Sequence, residues 1–298
     1  MRQYVFMIAV LFSGILFVSP AIAAQMKHLG SVYVDRENLP LKHPEGVACS
    51  ENSFVVADTG NSRIVRYSIS VQGLTPEAVF PLPDTSPIIA QVNANGTIYL
   101  LDGKSRSIVK MSKDGQLNGK VEPKGLPGSK TYIPRSFELD NEGKIYLLDI
   151  FSKRVIILSA AEDYIRHLPF PEGYSFFSDL AVSTNGIVYL LDSVAGAIYA
   201  ANPGAESFEL LSSGLKEHMN FPTSLAIDNR GDLYLSDQYG SGLAIVGRDG
   251  TFQGRKFGMG WEDGQLYYPS QLCISNSDTL VIADRDNNRV QVFNILDE

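Results

Sequence analysis

Glu45, Arg135 and Asp179 are the residues whose types first suggest chemistry. Each stands at the start of a short, mainly apolar stretch: His43-Pro44-Glu45-Gly46-Val47-Ala48, Pro134-Arg135-Ser136-Phe137 and Phe177-Ser178-Asp179-Leu180. Gln271 holds the comparable place in Pro269-Ser270-Gln271-Leu272, and the nearby loops carry His43, Tyr174, His218, Trp261 and Tyr268. Two chemistries are open to such a set. Glu45 and Asp179 can act as oxygen donors to a hard cation, although Ca²⁺ takes about six to eight such ligands. Alternatively, one guanidinium, two carboxylates and several rings can hold a ligand by hydrogen bonding and stacking. Zinc is a poor fit, because His28, His43, His167 and His218 recur in no shared motif. Gly240-Ser241-Gly242 lacks the wider glycine spacing of a nucleophile elbow.

These residues lie far apart in the chain, so only a repeating architecture can gather them. A hydrophobic strand ending in Asp recurs as Phe54–Asp58, Ile98–Asp102, Ile145–Asp149, Val188–Asp192, Leu233–Asp237 and Leu280–Asp284. The Asp residues are spaced by 44, 47, 43, 45 and 47 positions, a period suited to four-stranded units. Tight turns such as Asn95-Gly96 and Asn185-Gly186 precede these strands, where a hairpin requires positive φ. The continuous apolar character of Ile98-Tyr99-Leu100-Leu101 and its counterparts predicts strands buried on both faces. The terminal Asp residues are expected to accept hydrogen bonds from the turns that follow them.

The stretch from Lys256 to Asn294 shows the unit most fully. A Gly-rich lead-in runs to Tyr268-Pro269, then comes Gln271-Leu272-Cys273-Ile274, then Thr279 to Asp284, then Arg285-Asp286-Asn287-Asn288-Arg289-Val290. This stretch resembles an NHL repeat, and the resemblance extends over about residues 44–294. It is strong at Asp58-Thr59-Gly60-Asn61-Ser62-Arg63-Ile64 and weak where Ala195, Ala197, Gly240 and Gly242 replace Asn and Arg. The resemblance implies an all-β, six-bladed β-propeller; the spacing alone implies six repeated β units. The last unit has three strands, so Met26–Val34 is expected to supply the outer strand of the last blade and remove two free sheet edges. Gluconolactonase-like propellers hold a divalent cation through a Glu on the first inner strand. Glu45-Gly46 is similar to that position, but the other entries offer Ile88, Ser178, Thr223 and Ser270.

Arg2, an apolar run from Tyr4 to Val18 and Ala21-Ile22-Ala23-Ala24 read as a secretory signal peptide over residues 1–24. Residues 25–298 then form a single propeller domain, periplasmic or extracellular, with no stable membrane insertion after cleavage. Loss of Arg2 takes the formal charge from −8 to −9, which argues against nucleic acid as a partner. Cys49 and Cys273 fall on the innermost strands of the first and sixth units, neighbours once the ring closes. A disulfide there would staple the closure. However, aligning the units puts them one residue out of phase, which favours two free buried thiols.

The longer connections (122–133, 169–177, 212–221 and 258–268) share one face of such a ring, at one mouth of its channel. Glu45, Arg135, Asp179, Gln271, His218, Trp261 and Tyr268 are expected there as a ligand site. The function expected is an exported binding or scaffolding module that engages a protein, peptide or glycan and needs no cofactor. The other reading is a Ca²⁺-dependent hydrolase or lactonase acting through Glu45 and Asp179.

Overall fold

The computed structural model describes residues 24–128 and 131–296. The expected leader falls outside them apart from Ala24, which is buried against the sixth blade. The described strands form six antiparallel four-stranded sheets, each built from consecutive strands except the last. The innermost strands are Pro44–Cys49, Pro87–Val92, Pro134–Leu139, Phe177–Val182, Pro222–Ile227 and Leu272–Ile274. They contact one another in cyclic order, the sixth against the first, so the sheets are the blades of a six-bladed propeller.

Ring closure follows the expectation. Gln25–Val32 pairs antiparallel with Arg289–Leu296, from Gln25 opposite Leu296 to Val32 opposite Val290, with one bulge at His28–Gly30. The first-blade and sixth-blade strands therefore share one continuous core. Val47, Phe54, Val56 and Tyr67 pack against Val281, Ala283, Val290 and Val292. Five further clusters of the same kind fill the other seams. Because both faces of each blade meet a neighbour, every residue of Ile98–Asp102, Ile145–Asp149 and Val188–Asp192 is buried.

The terminal Asp residues do more than cap the turns that follow them. Asp192 accepts from the amides of Val194 and Ala195 as expected, and also from Ser175 and Phe176, just before the inner strand. Lys42, Ser86, Ile133, Phe221 and Tyr267 donate in the same way to Asp58, Asp102, Asp149, Asp237 and Asp284. Each carboxylate thus ties the incoming connection to the outgoing turn at one end of its blade. In the first, third and sixth blades Arg63, Arg154 and Arg289 neutralise it. The fifth blade has Gly242 at that place, and Arg255 from the outer strand Phe252–Lys256 reaches Asp237 through the space a Cβ there would fill.

The expectation of free thiols is overturned. Cys49 and Cys273 are joined in a disulfide, with their Cα atoms 5.7 Å apart. The phase rule used against them holds for residues side by side within one sheet. Here the cysteines belong to adjacent blades stacked face to face. Side chains that meet across a seam come from opposite faces of consecutive sheets, so a one-residue offset is the condition for contact. Val47 faces the sixth-blade seam, whereas Ala48 faces the second-blade seam. Cys49 returns to the side of Val47, where Cys273 also packs.

Candidate functional site

The entry face of the ring carries the long connections, fixed in place by the six Asp anchors. A chain of rings crosses it. Phe176 and Phe221, which immediately precede their inner strands, lie 6.1 Å apart between centroids. Phe221 stacks on Tyr239 at 5.1 Å, Tyr239 meets Tyr268 at 5.8 Å, and Tyr268 meets Tyr267 edge-on at 5.2 Å. Tyr239 is 54% exposed and Tyr267 is exposed as well. At the other end of this arc the Arg135 guanidinium lies 4.4 Å above the Phe176 ring, a cation–π contact. Among the described residues its Nε has no hydrogen-bond partner. Burial, aided by nearby Arg106, lowers the Arg135 pKa, so an anion at this point would relieve a real electrostatic cost.

The rest of the mouth is charged rather than aromatic. Glu45 lies 3.5 Å from Arg285, and His43 lies 3.4 Å from Asp286. Burial raises the Glu45 carboxyl above its ordinary value, and Arg285 and His43 oppose the shift. The mouth is therefore lopsided, with an aromatic arc ending in Arg135 over the third to sixth blades and paired charges over the sixth and first.

Asp179 and Gln271 do not belong to this mouth: each stands one position further along its inner strand than Glu45 and Arg135, so alternation turns it the other way. Asp179 is 8% exposed and accepts from the Ser136 hydroxyl and the Leu225 amide (2.9 Å), bridging the third, fourth and fifth blades. Gln271 bridges the sixth, first and second blades, accepting from Val47 and Ala90 amides and donating to the Ala90 carbonyl. Both side chains line the channel, Asp179 bonded to the third and fifth blades and Gln271 to the first and second. Glu45 and Asp179 consequently have separate partners and share no approach for a cation. Among the described residues, no group of three or more His, Cys, Asp or Glu stands close enough to hold a metal ion. His218 also lies elsewhere, stacked on Phe252 of the fifth blade at 3.8 Å. Tyr174 fills the seam between the third and fourth blades, and Trp261 is 78% exposed on the 257–268 connection. Of the expected set, Glu45, Arg135 and Tyr268 stand at or just before the starts of inner strands on this face.

Past these two side chains, a cavity of about 550 Å³ opens on the opposite face, among the hairpin turns that follow the inner strands. Its wall includes Gln91, Glu138, Asp179 and the Cys49–Cys273 disulfide. Glu138 accepts from Gln91 Nε2 at 2.9 Å, and no cation among the described residues reaches it. Burial, reinforced by Asp179, pushes its carboxyl up to about 8; burial alone pushes Asp179 up to about 6. The sign of the consequence is fixed. Between the ordinary value of 4.5 and about 8 the folded protein holds a proton on Glu138 that the unfolded chain releases. Stability therefore falls as pH rises through this window, by up to about 1.4 kcal/mol per pH unit for one proton. Glu138→Gln is expected to flatten the decline, measured by thermal melts from pH 5 to 9. Parallel profiles for the two proteins would show that the carboxyl carries no such strain.

The NHL repeat family matches residues 266–293, within the stretch that showed the unit most fully. No curated protein matches the chain. Among solved structures, virginiamycin B lyase from Staphylococcus aureus is similar over 91% of this chain and 100% of its own, at 13% identity and a TM-score of 0.61. XC5397 from Xanthomonas campestris, described as a gluconolactonase, is similar over 92% of this chain and 90% of its own, at 15% identity and a TM-score of 0.66. At such identities the likeness shows the propeller fold and leaves the activity open.

Proposed function

We propose that this six-bladed propeller with an NHL repeat is an exported binding module whose ligand docks at the entry face. The observation that carries the reading is the aromatic arc from Phe176 to Tyr267, closed at one end by Arg135. A protein or peptide segment lays an apolar or aromatic side chain on Phe221 and Tyr239 and turns a carboxylate toward Arg135. Rigid aromatic rings give large contact area for little loss of side-chain freedom, and with arginine they dominate binding energy at such surfaces. The leader and the disulfide both support export, since disulfides persist in oxidising compartments. The hydrolase reading finds its two carboxylates on separate partners, so it is not carried forward.

The test is selection from a displayed peptide library and a glycan array on the mature protein, followed by affinity measurements. Tyr239→Ala is expected to weaken selected peptides by roughly thirtyfold, the scale of a lost aromatic hot spot, while its melting temperature stays put. Arg135→Gln should weaken the acidic peptides selectively. Peptides that bind Tyr239→Ala as well as the parent would overturn the reading, and enrichment confined to the glycan array would replace the peptide with a sugar.

A further inference from the structure

The cavity on the hairpin face is a different place from the aromatic mouth, since its wall includes neither Arg135 nor any ring of the arc. We infer that this cavity is a second binding site, and that it takes an organic amine whose ammonium group sits against the Glu138 carboxyl while its uncharged chain runs outward between the third and fourth blades.

Three features of the cavity lead there. First, at about 550 Å³ it is large enough for a small ligand, and it is walled by all six blades. Second, its wall is one-sided in charge: it includes Glu51, Glu138, Asp140, Asp179 and Asp228 and no Lys, Arg or His. At the rim Lys144 lies 4.0 Å from Asp140 and Arg230 lies 2.8 Å from Asp228, so those two carboxylates are answered from outside. Glu138 is not. It has the Gln91 amide and the amide of Leu139, where Asp192 elsewhere in the ring collects four backbone amides. Third, the cavity adjoins a cleft of about 470 Å³ that shares Leu139, Asp140, Val182 and Ser183 with it. The cleft is flanked by Ile157, Ile165, Val188 and Pro203, a surface for methylene groups, and by Lys144 and Arg166, which disfavour a second ammonium there.

Placing an ammonium against Glu138 stabilises its ionised form, so binding near neutral pH displaces the proton that burial keeps there. The amine keeps its own proton, and the one from Glu138 goes to solvent. A neutral alcohol of the same length has no reason to cause that release.

The experiment is titration calorimetry of the mature protein with 1-aminohexane at pH 7, in two buffers of different ionisation enthalpy. 1-Hexanol and Ca²⁺ are run as parallel probes. Saturable binding of the amine is expected, with close to one proton released per ligand. Glu138→Gln, which keeps the side-chain volume and removes a half-buried carboxyl, should cost at least about tenfold in affinity and abolish the release. Tyr239→Ala should bind the amine unchanged, so failure here and failure of the peptide site are separable. No saturable heat with millimolar amine would overturn the inference. So would equal binding of 1-hexanol with no effect of Glu138→Gln, which would make the cavity an apolar pocket. Tighter binding of Ca²⁺ than of the amine, with the same proton release, would make it an inorganic cation site and overturn it too.

Discussion

Replacing Cys49 and Cys273 together by serine is expected to lower the stability of the ring by about 3–5 kcal/mol, with the melting temperature falling by roughly 5–15 °C. The bond joins residues 224 positions apart, so in the unfolded chain it closes a loop nearly as long as the domain. Loop-closure entropy grows only slowly with length, yet at this length it approaches its upper range, about 5 kcal/mol. Position adds to the effect, because the disulfide crosses the one seam at which sequence-distant blades must find each other. Thermal and urea unfolding of the oxidised parent, the reduced parent and the double serine variant would measure it. Agreement between the last two, both below the first, is the expected pattern. A double variant that melts within about 2 °C of the oxidised parent would show that strand pairing alone secures the seam.

Arg289→Ala is expected to be about as damaging, at roughly 3–5 kcal/mol, because it leaves a buried carboxylate without its cation. Arg289 is 1% exposed, and its guanidinium donates to Asp284 (2.6 Å), the Tyr33 hydroxyl (3.0 Å), and the Glu262 and Gln265 carbonyls (2.8 Å each). It thereby joins the inner turn, the 257–268 connection and the chain just after the closing strand. Arg289→Lys keeps the charge and loses the planar fork, so it should recover only part of the loss. Urea midpoints of the three proteins decide the matter. A loss under about 1 kcal/mol for the alanine variant would mean that Asn287 and Gln291, which also donate to Asp284, suffice.

The blades and their closure were legible in the sequence because the Asp-terminated strands recur at a steady spacing and the last unit lacks a strand. Asp179 was misplaced because it aligns with Ser136 rather than with Arg135, so simple alternation turns it away; the cysteine pairing was misjudged for another reason. Alternation within a strand says which residues share a face, but a propeller stacks opposite faces, so contact across a seam requires a one-residue offset. The aromatic arc had a readable signal in Phe176, Phe221 and Tyr268, which occupy the same place in three successive units. Glu138 had one as well. It aligns with Ala48, Gln91, Ala181, Ala226 and Cys273, a row of otherwise uncharged residues. His218 and Trp261 had none, since the length of a connection fixes where its ends lie and not where its side chains go.

The pairing of Gln25–Val32 with Arg289–Leu296 also governs timing. The first strand of the ring has its partner at the far end of the chain, so it stays an unsatisfied edge until nearly the whole polypeptide has emerged. Contacts of such high sequence separation make folding slow and leave the early chain open to wrong partners. For a polypeptide threaded across a membrane before it folds, that delay is useful. Under the export proposed above, the ring closes where both ends have arrived, and there the chain meets the oxidant that joins Cys49 to Cys273.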